Sequence, residues 1–163
     1  MPLAVAEEIA LVLKSRLEAM IGDSLTYPTD VLEVIRPTRM GDFTPADRQV
    51  VLVQGQPEIV PELSHPGNPP ATAYRQTYQI RCHIMGSERT PEVIDTVINQ
   101  FHADVVKAIY AGGNVWHTMD NNAIDAEFRS PEYVTADGGL DGVNVPIAIT
   151  FRTDEGDPTS VRA

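Results

Sequence analysis

Apolar residues recur at helical spacing in two segments of the chain. In residues 5–21 they recur in steps of three and four with charged residues between them, and Gly22 then favours the left-handed end of a helix. Residues 91–111 repeat this spacing more regularly, and they begin with a proline and an acid, which favour a first helical turn. The pattern therefore predicts one amphipathic helix near the start of the chain and a second beyond its middle.

Alternation of apolar and polar residues predicts the strands. It runs through residues 74–85 and again through residues 143–151, which is typical of half-buried strands. Pro146 lies inside the second run and predicts a free edge or a bulge there, because proline has no N–H to donate to a neighbouring strand. Shorter strands are predicted in four further segments, residues 31–36, 49–54, 115–119 and 123–129.

Two segments have turn formers without a period, which predicts loops. The first is residues 37–45, with Met40 and Phe43 exposed at its tip. The second is residues 55–72, where five prolines predict a long extended loop, because neither a helix nor a sheet interior accepts them. A loop of this length is either a tolerated insertion or an arm that orders against a neighbouring subunit or partner. The arm is favoured by three apolar residues in the segment, Ile59, Val60 and Leu63.

The order of the predicted elements indicates the fold class. A helix, two or three strands, a second helix and two or three more strands follow one another without repeats. This order is typical of an α+β domain, with two helices packed on one face of a mainly antiparallel or mixed sheet. Residues 1–163 are predicted to form a single domain, since a chain of this length buries enough surface for one core. Residues 153–163 are predicted to be an extended tail.

The charge of the chain excludes some classes of partner. Twelve Lys and Arg residues oppose 23 Asp and Glu residues, which gives a formal net charge of −11. Such an excess repels phosphate and disfavours binding to DNA or to an anionic membrane by charge. Residues 92–163 hold twelve acids and four bases, so the second half is the acidic half. This acidity is either a well-solvated surface or a face that keeps a passing polyanion from sticking.

The sequence predicts neither a signal peptide nor a membrane helix. The first residues lack the basic region of a signal peptide and meet two acids early. No stretch approaches the roughly 18 uninterrupted apolar residues of a membrane helix. The sequence therefore predicts a soluble protein with no membrane partner.

The residues that carry most enzyme chemistry are few and scattered. Cys82 is the only cysteine, so no disulfide forms within the chain, and it adjoins His83 on a predicted strand. Adjacent strand residues point to opposite faces, so these two side chains do not share a proton. The four histidines have no metal-ligand spacing, and no nucleophile motif or phosphate-binding loop is present in the sequence. The sequence predicts no enzyme activity, no catalytic residue, no metal site and no cofactor.

The end of the chain resembles a known family of phage proteins. Residues 145–158 read Val-Pro-Ile-Ala-Ile-Thr-Phe-Arg-Thr-Asp-Glu-Gly-Asp-Pro. This stretch resembles the closing strand and tail of tail terminator and tail-completion proteins of tailed bacteriophages, which often end in an aromatic-Arg-Thr stretch followed by Gly-Asp-Pro. The predicted layout is similar as well, with an N-terminal helix, a proline-containing loop, a long strand, a second helix and closing strands.

The resemblance implies a structural virion protein. Such proteins assemble as a ring, typically a hexamer, that caps the tail tube, stops its elongation and offers the head-tail joining surface around a DNA channel. The implied partners are further copies of the chain, the tail tube protein and a head-tail connector or neck protein, while DNA passes through without specific binding. The implied location is the tail or neck of the virion, after assembly in the host cytoplasm.

Candidate interface and channel residues follow from the loops, the last strand and the acidic half. The last strand is included because a free strand edge invites pairing with another chain. The candidates for contact between subunits or with partners are Met40, Phe43, Ile59, Val60, Leu63, Val145, Ile147, Arg152, Asp154 and Asp157. The candidates for an acidic channel lining are Asp120, Asp125, Glu127, Asp137 and Asp141.

Two other functions are alternatives to a ring-forming tail protein. One is a different phage neck or head-completion connector protein, which would use the same acidic α+β domain with another partner. The other is a small-ligand binding module or an uncharacterised enzyme with its pocket between helix and sheet. Its candidate residues are Tyr74, Arg81, His117 and Asp125.

Overall fold

Two helices and seven strands are described in the computed structural model of the chain, which covers residues 4–37, 43–67, 69–85, 91–111, 123–136 and 140–161. The helices are α1 (Val5–Glu18) and α2 (Pro91–Ile109). The strands are β1 (Glu33–Ile35), β2 (Gln49–Ile59), β3 (Ala71–Met85), β4 (Asp125–Phe128), β5 (Glu132–Ala136), β6 (Leu140–Asp154) and β7 (Asp157–Val161). A short 3₁₀ helix, Pro61–Leu63, lies between β2 and β3.

The seven described strands form one mixed sheet. Its order runs β1, β2, β3 and β6, and the short strands β4, β5 and β7 pair with the far side of β6. β1 is parallel to β2, whereas the other described pairs are antiparallel. β3 and β6 pair over their whole length, from Ala71 opposite Asp154 to Met85 opposite Leu140. The α+β prediction is confirmed, with the sheet as the dominant part.

One face of the sheet packs against both helices. The face is apolar because every second residue of its central strands points to the same side. Its buried residues include Val50 and Leu52 on β2, Tyr78, Ile80, Cys82 and Ile84 on β3, and Val143, Val145, Ile147 and Ile149 on β6. The apolar stripes of α1 and α2 form one continuous core with this face, as the helical spacing predicts. Burying each of the larger side chains stabilises the fold by about 1.5–3 kcal/mol.

The opposite face of the sheet is polar but covered at one corner. The ring of Phe43, which precedes β2, stacks on His83 with 6.0 Å between the ring centroids. His83 is therefore buried, although the alternation of β3 places it on the polar side. Phe43 is half-buried in this contact and is not the exposed loop tip that the sequence predicts. Met40, the other predicted tip residue, lies outside the described residues.

Pro146 lies in the middle of the sheet, so the free edge is the wrong one of its two predicted alternatives, whereas the pairing with β4 and β5 is interrupted at this point, as a bulge would require. β6 pairs with β3 on one side and with β4, β5 and β7 on the other. The carbonyl oxygen of Pro146 accepts a hydrogen bond of 2.9 Å from the Arg129 N–H, just after β4. The nitrogen of Pro146 points to the same side of β6, where the chain passes from β4 to β5. Because no strand pairs with β6 on that side at this point, the missing N–H does not remove a hydrogen bond from the sheet. Val145 and Ile147, proposed as edge residues for contact between subunits, are fully buried in the core.

Residues 55–72 are called the arm below, and the described ones, 55–67 and 69–72, form a hairpin and not the predicted extended loop. β2 continues as far as Ile59, and β3 already begins at Ala71. A bulge in the pairing between Gln54 and Pro57 accommodates the proline inside β2. A second proline, Pro61, begins the 3₁₀ helix, where its missing N–H is not needed, so neither Pro57 nor Pro61 prevents the hairpin.

The C-terminal segment folds back on the sheet and is not the predicted extended tail. Gly156 has a φ of 80° and turns the chain, a conformation that glycine adopts without strain. β7 then pairs with the end of β6, where Asp154 lies opposite Asp157. The predicted strand over residues 115–119 lies outside the described residues.

Candidate functional site

The arm and the hairpin of β6 and β7 meet at one end of the sheet. Ile59 pairs with Tyr74 on the neighbouring strand, and Tyr74 pairs in turn with Phe151. Arg152 lies opposite Ala73 in the next row. The register therefore brings two distant parts of the sequence together, and this region, residues 55–75 and 149–161, is called the arm end below.

The arm is fixed to the sheet by hydrogen bonds within the chain. Arg152 donates from Nε to the carbonyl oxygen of Leu63 at 2.7 Å. Val60 donates its N–H to the Ala73 carbonyl at 2.9 Å, and Ser64 Oγ accepts from the Ala73 N–H at 3.1 Å. Val60 is buried by these contacts, so it is not available as the interface residue that the sequence predicts. Leu63 is half-buried, and Arg152 serves to hold the arm in place.

Ile59 is the apolar residue that the arm leaves to solvent. Its side chain is 63% exposed, which is high for isoleucine in a paired strand. It lies beside Tyr74, whose ring stacks on Phe151 with 5.7 Å between centroids. Among the interface candidates that the structure describes, Ile59 is the one whose apolar side chain is presented to solvent.

A groove of about 250 Å³, called the apolar groove below, lies between the arm end and the start of α1. Its lining residues are Ala4, Ala6, Gln54, Pro57, Tyr74, Gln76, Phe151, Thr153 and Pro158. The buried Gln76 donates from Nε2 to the Gly55 carbonyl at 2.7 Å. The Tyr78 hydroxyl lies 3.1 Å from the Ala6 carbonyl oxygen and 3.3 Å from Gln76 Oε1. Because these polar groups satisfy one another, the groove offers mainly apolar surface to an occupant.

Acidic groups rim the arm end. Asp157 is exposed, and hydrogen bonds from the Thr159 hydroxyl and N–H lower its pKa. Asp154 is half-buried and accepts at Oδ2 from the Ser160 hydroxyl at 3.0 Å. Glu155 is exposed in the turn between β6 and β7. The arm end therefore presents negative charge around its apolar centre.

The acidic channel candidates do not gather on one face. Asp125 and Glu127 are exposed and lie two residues apart on β4, so they share the polar face of the sheet. Glu127 forms an ion pair with Arg129 at 3.2 Å. Asp141 lies opposite Ile84 and so belongs to the helix-covered side. The remaining two candidates, Asp120 and Asp137, lie outside the described residues.

The candidates for a small-ligand pocket do not converge either. Tyr74 and Arg81 both lie on β3, but seven residues apart, so they point to opposite faces of the sheet. Asp125 lies opposite Thr150 on β6, whereas Arg81 lies opposite Asn144 on the same strand. Thr150 and Asn144 are six residues apart, so Asp125 and Arg81 are separated by about 20 Å along the strand direction. His117 lies outside the described residues. The pocket proposed between helix and sheet is not formed by the three candidates that the structure describes.

Cys82 and His83 are held apart, as the alternation predicts. Cys82 is fully buried on the helix-covered face, and burial raises the pKa of its thiol. His83 is buried on the other face, where burial and then the charge of Arg81 lower its pKa. Both shifts favour the neutral side chain, which suits structural roles.

The lowered pKa of His83 predicts that stability falls on mild acidification. Below about pH 6.5 the unfolded chain binds a proton at this histidine more readily than the folded chain does. The free energy of unfolding therefore decreases as the pH falls from about 7.5 to 5.5. Urea unfolding across this range should show a smaller decrease for His83→Gln, whereas His65→Gln, which changes an exposed histidine, should keep the wild-type slope. Equal slopes for all three proteins would contradict this role of His83.

Asp104 is an important residue that sequence reasoning missed. It is buried on α2 and accepts at Oδ2 from the Thr29 N–H at 3.0 Å and the Thr29 hydroxyl at 2.7 Å. Gln100 donates to its other oxygen at 2.7 Å. The signal was present in the sequence, because Asp104 follows Phe101 by three residues and so falls on the apolar stripe of α2. A charged residue at such a position needs partners, which the loop after α1 supplies.

Comparison with known proteins adds no assignment. No protein-family model matches the sequence, and no curated protein matches it. Over the described ranges, no group of three His, Cys, Asp or Glu side chains is placed to hold a metal ion. In the same part of the chain, neither helix has the length and apolar character needed to span a bilayer. The function is therefore inferred from residues and geometry.

Proposed function

We propose that this chain is a structural subunit of a phage tail that assembles into a ring, closes the end of the tail tube and joins it to the head. The observation that carries the proposal is the arm end. There the C-terminal stretch that resembles tail terminator proteins lies beside the arm, which exposes Ile59 to solvent. The proposed ring is a hexamer located in the virion, at the tail or neck, after assembly in the host cytoplasm.

The arm end is already held in one conformation, which supports a role in assembly. Association has to offset the loss of conformational freedom of the groups that it immobilises. Here the hydrogen bonds from Arg152 and to Ser64 already fix the arm, so docking costs little additional entropy. Burial of a side chain such as Ile59 in an interface contributes about 1.5–3 kcal/mol.

The charge of the chain supports a ring around DNA. A net charge of −11 repels a polyanion, so DNA would pass through the ring without adhering. We assign Asp125 and Glu127 to the channel side, because they are exposed together on the polar face of the sheet. The proposed partners are further copies of the chain, the tail tube protein and a head-tail connector protein.

A pull-down distinguishes tube capping from other neck functions. Immobilised chain is offered purified tail-tube protein or portal-adaptor protein, and we expect retention of the tube protein. An Ile59→Ser variant should weaken this retention, whereas Leu32→Ser, which changes an exposed leucine away from the arm end, should not. Retention of the adaptor alone would instead indicate a head-completion connector, and retention of neither protein would contradict a function in the neck.

A further inference from the structure

Leu25 is presented to solvent by a tight turn after α1. Its side chain is 97% exposed, the highest value among the large apolar residues of the described chain. A single exposed leucine is common at a protein surface and needs no explanation by itself. Here the exposed leucine is at the tip of a turn, residues 22–30, that is itself fixed in place.

Several hydrogen bonds fix this turn from both sides. Asp23 accepts at Oδ1 from the Thr26 N–H at 3.1 Å and at its carbonyl from the Tyr27 N–H at 2.9 Å. Lys107 on α2 donates to the Thr26 carbonyl at 3.0 Å. Asp104 binds Thr29 through two hydrogen bonds. The turn therefore displays Leu25 as a rigid knob, and a rigid apolar knob loses little entropy on binding.

We propose that Leu25 of one copy inserts into the apolar groove at the arm end of the next copy. This inference rests on the proposed function and names the contact by which the ring is built. The groove is smaller than the roughly 300–1,000 Å³ pockets that hold drug-sized ligands, and its volume of about 250 Å³ suits a single aliphatic side chain. The stacked rings of Tyr74 and Phe151 supply an apolar wall.

The positions of knob and groove favour a head-to-tail contact. α1 has 14 residues and is therefore about 21 Å long. The groove includes Ala4 and Ala6 at the start of the helix, whereas Leu25 follows its end. Two complementary surfaces at opposite ends of one subunit generate a ring or a filament, because each copy uses both. A two-fold dimer would instead need both surfaces on the same side of the subunit, so that two copies exchange them reciprocally.

Charges beside the two surfaces are complementary. Lys107 is exposed and lies next to the knob, through its bond to the Thr26 carbonyl. Glu155 and Asp157 are exposed beside the groove, which includes Pro158. Opposite charges at the rims of an interface steer association and fix its register. A second copy therefore offers the groove an apolar side chain with a cation beside it, opposite the acids of the groove.

Cysteine cross-linking tests the contact directly. The full chain carrying both Ser24→Cys, at an exposed position beside the intact Leu25, and Pro158→Cys is oxidised at a concentration at which the wild type assembles, alone or on tail tubes. Cys82 does not compete, because it is buried and its thiol pKa is raised. We expect a ladder of covalent multimers that ends at the size of the ring. The pair Leu32→Cys and Pro158→Cys is the matched control and should give no ladder. Products that stop at dimers, or no cross-linking at all, would overturn the proposed contact.

A second measurement separates this inference from the proposed function. Leu25→Ser should raise the concentration at which half of the chains are assembled by about 10- to 100-fold, with no loss of folding. Lys107→Glu should weaken assembly, and Glu155→Lys in the same chain should restore it. If the wild type and Leu25→Ser assemble equally, the contact is wrong while the ring function stands. If the wild type does not assemble even on tail tubes, the proposed function itself is wrong.

Discussion

Replacement of Gly142 by alanine should lower the free energy of unfolding by about 3 kcal/mol or more. A Cβ at this position would lie 2.2 Å from the carbonyl oxygen of Cys82, which belongs to the backbone of the paired strand. The backbone of two paired strands cannot shift far without breaking hydrogen bonds, so β3 and β6 would have to separate locally. Both strands contribute several core residues, and urea unfolding would report the loss directly.

Gly67→Ala is the matched control for this substitution. A Cβ at Gly67 would meet its nearest atom, the Pro69 carbonyl oxygen, at 3.5 Å, which is an ordinary contact. Its effect on the free energy of unfolding should stay within about 0.5 kcal/mol. Equal urea midpoints for the Gly142 and Gly67 variants would contradict the close approach of β3 and β6.

Replacement of Asp104 by alanine should cost about 3 kcal/mol and loosen the turn that carries Leu25. The substitution removes three hydrogen bonds to a buried carboxylate and leaves the Thr29 N–H and hydroxyl without their acceptor. Urea unfolding measures the global loss. Hydrogen exchange of the Thr29 amide measures the local loss, and it should become faster by more than the change in global stability explains.

Two control variants define the role of Asp104. Asp104→Asn keeps an oxygen acceptor for Thr29 and should cost about 1 kcal/mol. Asp95→Ala changes an exposed acid on the same helix and should be nearly neutral. If Asp104→Ala is no more harmful than Asp95→Ala, the buried carboxylate does not hold the turn.

The parts of the fold that the sequence predicts are those whose pattern is local. The spacing of apolar residues in α1 and α2 and the alternation of β3 each reflect burial of one face, so a single segment reveals them. The bounds of α2 at Pro91–Ile109 lie within two residues of the predicted 91–111. The class of the fold follows from the order of these elements.

The errors concern features that depend on distant partners. Pro57 sits at a bulge opposite β3, and Pro146 faces the passage from β4 to β5, so neither proline ends a strand. The sequence alone does not reveal at which residue the neighbouring strand offers no acceptor, so that a proline without an N–H is tolerated there. Val145 and Ile147 were assigned to an edge for the same reason, because strand order is set by pairing and not by the pattern within a strand.

The sequence predicts some residues of the arm end, but not how they come together. Ile59, Asp154 and Asp157 belong to two separate segments, and the register of β2, β3 and β6 brings these segments to one end of the sheet. The sequence does not reveal Leu25, because an isolated leucine in a short polar stretch has no pattern. Its exposure becomes evident only when Asp104 and Lys107 are seen to fix the turn beneath it.

The mass and symmetry of the assembled chain test the central claim most directly. Light scattering and negative-stain imaging are performed with and without tail-tube protein, over a range of chain concentrations. We predict closed rings of six copies, either free or seated at the ends of tubes that have stopped growing. A chain that stays monomeric at every concentration and leaves the tubes uncapped would contradict the proposed function.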